Sequence, residues 1–371
     1  YDNVWRLINS KFVDQTNNQQ NWAKWRHKYD NQIRTNEDAY VAINTMVATL
    51  NDPYTKFLDP KEFADETSSI KGSLKGIGIQ IGVKDGKLMV IAPIEDTPAE
   101  RAGLQADDEI LEIDGVSTKG ITVDKAADKI RGKEGTQVTL LVKRKDVAPK
   151  TYTITRAEIE IKSISQKLPI DMTIPNDFCY IRLRSFISRN AATEFGSILN
   201  NNRNKKGFIV DLRSNPGGLL TTAIYISDMF LDGGTIVSTV DRDGYKETQR
   251  ASSGVYTKKP VVVLINKGSA SASEIFSGAM KDNHRAVIIG EQSFGKGLVQ
   301  EINKLPYEAG INITIQKYLT PHGTDINKKG ITPDIIVKLT EEDVKNKNDL
   351  QLKKAVEVLS KMTNGQSIAV Q

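Results

Sequence analysis

Apolar positions along this chain change their period twice, and each change marks a different kind of structure. From residue 1 to about 70 the period is helical. Val4, Trp5, Leu7, Ile8, Phe12 and Val13 keep apolar groups on one side. Asn36-Glu37-Asp38 opens a second helix whose buried stripe is Tyr40, Ile43, Met46, Val47 and Leu50, and Asn51-Asp52-Pro53 stops it. From about 72 to 156 short strands alternate with turns: Ile77–Ile81, Leu88–Ile91, Glu109–Ile113 and Val138–Val142. Asp85-Gly86 and Asp114-Gly115 are hairpin turns between such runs. One helix is predicted there, Thr122–Ile130, with Val123, Ala126, Ala127 and Ile130 on one face and Gly132 as its stop.

From about 157 to 340 strand and helix alternate. Strands are predicted at Cys179–Leu183, Phe208–Leu212, Val261–Ile265, Val287–Ile289 and Ile311–Ile315, and helices at 190–202, 218–230 and 273–282. Uninterrupted Val/Ile runs between helices predict a buried, largely parallel sheet, because a strand covered on both faces has no polar side to alternate with. Residues 341–371 form a helical tail, with Leu352, Val356 and Leu359 facing inward.

A chain of 371 residues is expected to divide into two or three domains. Its 39% hydrophobic and 26% charged content is that of a soluble globular protein. The net charge of +5 is mild, and acids interrupt bases, as in Lys143-Arg144-Lys145-Asp146, so no stripe for nucleic acid is present. Cys179 is the single cysteine, which excludes an internal disulfide and a cysteine-based metal cluster. No apolar run is long enough to span a membrane. The start at Tyr1, without methionine, is read as a mature form with its leader removed.

The candidate chemistry lies in two stretches: Gly268-Ser269-Ala270-Ser271-Ala272-Ser273-Glu274, and Phe294-Gly295-Lys296-Gly297 followed by Gln300. A serine hydroxyl needs a base to become a nucleophile. His27, His284 and His322 sit in no triad pattern, so lysine is the expected base, provided that burial keeps it neutral. Ser271 is expected on a strand-to-helix turn, with Ser273 capping a helix that runs from Glu274. There the Ala272 amide points outward at the helix N-terminus, where it can hold a developing oxyanion. A bare helix cap is the bland alternative. Asp211-Leu212-Arg213-Ser214-Asn215-Pro216-Gly217-Gly218 reads as a strand end and a turn, with the Gly217 amide as a second oxyanion donor. Two decoys surround Lys296. Gly290 to Lys296 matches a phosphate-binding loop until Gly297, where Ser or Thr is needed. Ser293-Phe294-Gly295-Lys296 fits Ser-x-x-Lys but carries glycines that disfavour the helix this motif requires.

In the strand-rich stretch, Lys75-Gly76-Ile77-Gly78-Ile79 opens a strand after a glycine-rich turn, where converging N–H groups make a nest for a carboxylate. The continuation is Ala92-Pro93-Ile94-Glu95-Asp96-Thr97-Pro98-Ala99, Ala102-Gly103-Leu104 and Asp107-Asp108-Glu109-Ile110-Leu111-Glu112-Ile113-Asp114-Gly115. Together these stretches resemble a PDZ domain of bacterial proteases. The resemblance implies that residues 76–79 hold a substrate carboxylate and that the helix near Val123, Ala127 and Ile130 lines the side-chain pocket. Arg131 ends that helix. It is either a cation at the helix C-terminus or a link between peptide capture and the catalytic domain.

Taken together, these stretches and Gly330-Ile331-Thr332-Pro333-Asp334 resemble the C-terminal (tail-specific) processing peptidase family over most of the chain. In that family the serine and lysine lie 25 positions apart, which selects Ser271 over Ser269 and Ser273 as partner of Lys296. The resemblance further implies Gln300 as the group orienting the lysine and the amides of Gly217 and Ala272 as the oxyanion pair. The fold it implies is multidomain, α+β with α/β: a helical N-terminal region (1–70), an inserted PDZ β-module (72–156), a mixed sheet-and-helix catalytic core with crotonase/ClpP-like layering (157–340) and the helical tail. Val4-Trp5-Arg6-Leu7-Ile8-Asn9, Phe12-Val13-Asp14 and Leu50 to Leu58 are similar to the cyanobacterial and chloroplast branch. Enzymes of that branch trim the precursor of the photosystem II reaction-centre core protein, a membrane protein, in the thylakoid lumen.

The expected protein is therefore an exported serine endopeptidase, in the thylakoid lumen or periplasm, that acts on protein tails without metal, nucleotide or other cofactor. An empty PDZ module is expected to cover the cleft. Two other classes remain open at this stage: a non-catalytic PDZ scaffold that binds protein C-termini, and a Ser-Lys amidase or esterase for small molecules.

Overall fold

In the computed structural model of the chain the residues described are 1–70, 73–84, 86–94, 97–105, 107–145, 147–160, 163–169, 172–188, 190–340, 342–343 and 346–366. Asp85 of the first predicted turn, and Glu95 and Asp96 of the module's signature, lie outside them. Two compact units are present: Tyr1–Lys71 with Lys162–Gln371, and Gly72–Ile161.

The first unit is built on a six-stranded sheet. Ile164–Ser165, Phe178–Leu183, Gly207–Asp211, Val261–Ile265, Val287–Gly290 and Ile335–Ile336 lie side by side in that order. The first pair is antiparallel and the others are parallel, with Val210 opposite both Ile181 and Val263. Successive residues of these strands enter opposite cores. Cys179, Ile181, Phe208, Val210, Val261 and Val263 pack with helices Ala191–Asn201, Leu220–Asp228 and Ala272–Asp282. Tyr180, Ile209, Val262, Leu264 and Ile289 pack under the C-terminal helix Leu350–Thr363. Burial on both faces is why the sequence runs apolar without alternation.

Gly310–Leu319 departs from the expected grouping: it is the spine of a second, antiparallel sheet. Lys56–Leu58, Leu298–Lys304 and Thr235–Asp241 all pair with it, and Lys246–Arg250 extends the sheet. Its Ile311 and Ile313 are buried against the N-terminal helices Asp2–Lys11 and Asn36–Ala48, in a core with Ile8, Phe12, Met46 and Leu50. The helix-rich N-terminal stretch thus holds one strand, Lys56–Leu58. Its second helix opens on a capping box between Thr35 and Asp38.

In the second unit, Ile79–Lys84, Lys87–Pro93, Glu109–Ile113, Gln137–Lys143 and Lys150–Thr155 form an antiparallel sheet in that order. The helix Val123–Ile130, capped by Thr122, adds Ala126 and Ile130 to its core. Asp108 is fully buried and holds Arg144 by two hydrogen bonds of 2.7 and 2.8 Å. The bidentate ion pair explains why a carboxylate sits inside this module.

Candidate active site

Ser271 stands where the strand Val261–Ile265 gives way to the helix Ala272–Asp282, and it is itself the residue before the helix. Its backbone is at φ +54°, ψ −115°, a conformation costly for a residue with a Cβ. Two hydrogen bonds hold it there. Ser271 N–H donates to Glu274 Oε2 at 2.8 Å, and Ala270 N–H donates to Asn215 O at 3.0 Å. The expected cap at Ser273 is therefore two residues late. The Ser273 hydroxyl is buried and donates to Asn215 O at 2.9 Å, while Ser269 Oγ donates to Leu212 O at 2.8 Å. Both neighbouring serines are committed to holding the loop, whereas half-buried Ser271 lines a cleft.

Glu274 is 1% exposed, and its carboxylate gathers four donors. Oε1 accepts from Ser293 Oγ at 2.6 Å and Gly295 N–H at 2.7 Å. Oε2 accepts from Ser271 N–H at 2.8 Å and Lys296 N–H at 2.9 Å. On the carbonyl side, the buried Tyr318 hydroxyl reaches Ser271 O at 3.2 Å and also donates to Lys296 O. The two loops are thus joined through the buried groups Glu274 and Tyr318, which lie 22 positions from Lys296 and, for Tyr318, 47 from Ser271. Gly295, at φ +91°, brings the second loop so close to residues 328–330 that a Cβ would sit 2.9 Å from Lys329 N. Neither decoy motif has its structural context: residues 293–296 are not helical, and a strand, Leu298–Lys304, follows Lys296.

The Lys296 amine is half-buried in the same cleft, 4.7 Å from the centroid of the Tyr54 ring. Among the described residues it makes no hydrogen bond or ion pair, so it is bonded to neither Ser271 Oγ nor Gln300. Burial pulls its pKa below the usual lysine range, against the opposing fields of Glu66, Asp52 and Glu274. Gln300 also lines the cleft, from a strand position next to a register irregularity, and its amide bonds Thr314 Oγ1 at 3.4 Å.

The third piece is a turn anchored below the sheet. Asp211 is fully buried and binds Arg213 and the Tyr180 hydroxyl, and Arg213 also bonds Asp349 at 2.8 Å. Burial works against the Arg213 charge, but Asp211 and then Asp349 hold its pKa above the usual value. Above this anchor, Gly217 takes φ +101°. A Cβ there would lie 2.6 Å from Ala270 O and 2.9 Å from Ala272 N, so glycine is required beside the helix start. The Gly217 N–H is occupied by Asn215 Oδ1 at 2.9 Å.

In the second unit, Lys75 and Gly76 end a strand paired with Ala157–Glu160, Ile77 is buried in the core, and Ile79 begins the next strand. The Ile77 and Gly78 carbonyls accept from Ala99 and Ile94 N–H. Val123 and Ala127 are half-buried, and Ile130 is 4% exposed within the core. Arg156 is a cation bonded at the helix C-terminus, donating to Ile130 O and Lys129 O at 2.8 and 2.9 Å. The Arg131 stem lies beside Gly76, where a Cβ would be 4.0 Å from its Cγ.

Ser271, Ala272, Lys296 and Gln300 share a cavity of about 540 Å³ with Tyr54, Glu66 and Gly218. A larger cavity of about 660 Å³ shares Pro53, Tyr54 and Leu298 with it but is lined by neither Ser271 nor Lys296. Glu274 had a local signal, three residues after Ser271 as in a capping box, but no sequence reasoning assigned it a role. Tyr54 and Asn215 stand inside the motif stretches Leu50–Leu58 and Asp211–Gly218 but carried no role there, and Tyr318 had no signal that named it.

A profile of peptidase family S41 matches residues 177–337, and a PDZ domain profile matches residues 89–144. The chain is 40% identical to the carboxyl-terminal-processing protease of Synechocystis sp. (strain ATCC 27184 / PCC 6803 / Kazusa), over 98% of this chain and 86% of that protein. It is 36% identical to carboxyl-terminal-processing peptidase 2, chloroplastic, of Arabidopsis thaliana, over 89% of this chain and 67% of that one. Among solved structures it is similar to a photosystem II D1 C-terminal processing protease, with a TM-score of 0.62, 31% identity and coverage of 91% and 92% of the two chains.

Proposed function

Given that the chain belongs to peptidase family S41 and is a serine-type carboxyl-terminal-processing peptidase, we propose that Ser271 is its nucleophile and Lys296 its general base. Ser271 Oγ attacks the scissile carbonyl while the neutral amine of Lys296 takes the hydroxyl proton. The proton passes to the leaving amine, and water then releases the acyl group from Ser271. Ala272 N–H, at the helix start, faces the developing oxyanion. Gly217 N–H joins it once it exchanges its bond to Asn215 Oδ1. Gln300 steadies the lysine when the amine turns toward Ser271. No metal, nucleotide or other cofactor enters this scheme.

The substrate is a protein tail. Its terminal carboxylate seats on the amides at Gly76, Ile77, Gly78 and Ile79 beside Lys75. Val123 and Ala127 line the side-chain pocket, Ile130 shapes it from beneath, and Arg131 adjoins it. Similarity to the cyanobacterial and chloroplast proteins supports an exported enzyme, in the thylakoid lumen or periplasm, acting on the photosystem II reaction-centre precursor. No nucleic acid takes part. A scaffold without catalysis is not favoured by these similarities.

One observation carries the reading: Ser271 and Lys296 are tied to one buried carboxylate and open into one cavity. Incubation with a peptide bearing a C-terminal extension, followed by mass spectrometry, tests it. Wild type yields new termini, and Ser271→Ala and Lys296→Ala lose about three or more orders of magnitude in rate. A Lys296→Ala enzyme that cleaves at near wild-type rate would refute the lysine base.

A further inference from the structure

Lys296 has a partner that the reaction does not use. Its ammonium nitrogen stands 4.7 Å from the Tyr54 ring centroid, within the range of a cation–π contact. The carboxylates whose fields reach it are engaged elsewhere. Glu274 holds its four donors. Glu66 accepts from Asn312 Nδ2 at 2.8 Å and lies 4.0 Å from Lys56. Asp52 accepts from Tyr54 N–H at 3.2 Å and Thr55 Oγ1 at 2.7 Å. Tyr318 spends its hydroxyl on two carbonyls. Among the described residues, the face of Tyr54 is the contact that the charge makes.

The ring is held in place by an anchored turn. Thr55 Oγ1, which donates to Asp52, accepts from Thr314 N–H at 3.0 Å, and Thr314 Oγ1 accepts from Gln300. The turn that presents the ring and the amide at Gln300 are therefore anchored on one residue.

A ring face attracts an ammonium through its quadrupole and has little attraction for a neutral amine. We propose that Tyr54 is a positioning residue that docks the protonated form of Lys296, and that loss of the proton frees the amine to turn to Ser271. This rests on Lys296 being the base. The ring then sets where on the pH scale the enzyme switches on. It favours the charged form, so removing it lowers the pH at which the amine becomes neutral. Leucine in its place keeps the site dry but has no quadrupole. Phenylalanine keeps the face and loses only the hydroxyl.

The test is the pH dependence of kcat/KM on a tailed peptide for the full chain as wild type, Tyr54→Phe and Tyr54→Leu. The acidic limb stays in place for Phe and moves about half a unit to one unit toward acid for Leu. A second measurement needs no turnover: Lys296 carrying a 13C-methyl label is titrated by NMR in the Ser271→Ala protein with Tyr, Phe or Leu at position 54. Tyr54→Met replaces Leu if the Leu variant does not fold. A lower Lys296 pKa with Leu than with Phe supports the proposal, and equal values overturn it whatever the activity. An active Lys296→Ala enzyme would instead remove the base assignment and leave the NMR comparison standing.

Discussion

Ser271 and Lys296 donate their backbone N–H groups to the same atom, Oε2 of Glu274, at 2.8 and 2.9 Å. The relative position of the proposed nucleophile and base is thereby set by a residue buried beneath both. A carboxylate suits this place because it only accepts, and everything facing it donates. Tyr318 completes the clamp on the carbonyl side.

Glu274→Gln puts an NH2 group among four donors and leaves one acceptor oxygen. The expected loss of stability is about 3 kcal/mol, read from urea unfolding. The two loops should drift, lowering kcat on the order of 100-fold with little change in KM. Tyr318→Phe should cost about 1 kcal/mol.

The lowered Lys296 pKa has a definite sign for activity and for stability. The base acts when neutral, so kcat/KM rises with pH through the lowered value. Between that value and the unfolded one, about 10.4, the unfolded chain holds a proton that the native chain has released. Stability from this group therefore climbs across that window and falls back as pH drops through the folded pKa. Lys296→Met should be more stable than wild type at neutral pH, and the difference should shrink toward pH 10. Unfolding curves across a pH series check this.

Gly217→Ala meets both a disfavoured φ of +101° and backbone atoms at 2.6 and 2.9 Å. It should cost at least about 2 kcal/mol and abolish cleavage of a tailed peptide. Gly244→Ala separates the two causes, having φ +80° and nothing within 4 Å. It should cost only about 1 kcal/mol and keep activity.

Asp349→Ala leaves the buried Arg213 charge with Asp211 and the Gln351 amide oxygen and removes the acceptor for Leu352 N–H at the start of the C-terminal helix. The expected cost is about 3–5 kcal/mol. Limited proteolysis should cut near the helix Leu350–Thr363 earlier than in wild type.

Much of the fold was legible locally. The runs at Val261–Ile265 and Phe208–Leu212 announced strands covered on both faces, and the stripe from Tyr40 to Leu50 announced a helix. Ile311–Ile315 was recognisable as a strand, but neither its extension to Leu319 nor its place as the spine of a second sheet was, since an Ile-rich strand looks alike in either setting. The cap at Ser271 was placed two residues late, because Ser is a good cap at either position and only backbone torsion chooses between them.

The order of residues by itself determined many of the elements, among them the strands of the parallel sheet from Phe178 to Gly290, together with the family and the two groups, Ser271 and Lys296, on which the proposed chemistry turns. Local periodicity, turn chemistry and spacing carry that information within a few tens of residues. Tertiary structure alone decided that Glu274 ties the two loops together, that Tyr318 closes them from the other side and that Tyr54 faces the lysine. Those contacts depend on which strands pair and in what register, and no local pattern encodes a partner drawn from a distant part of the chain.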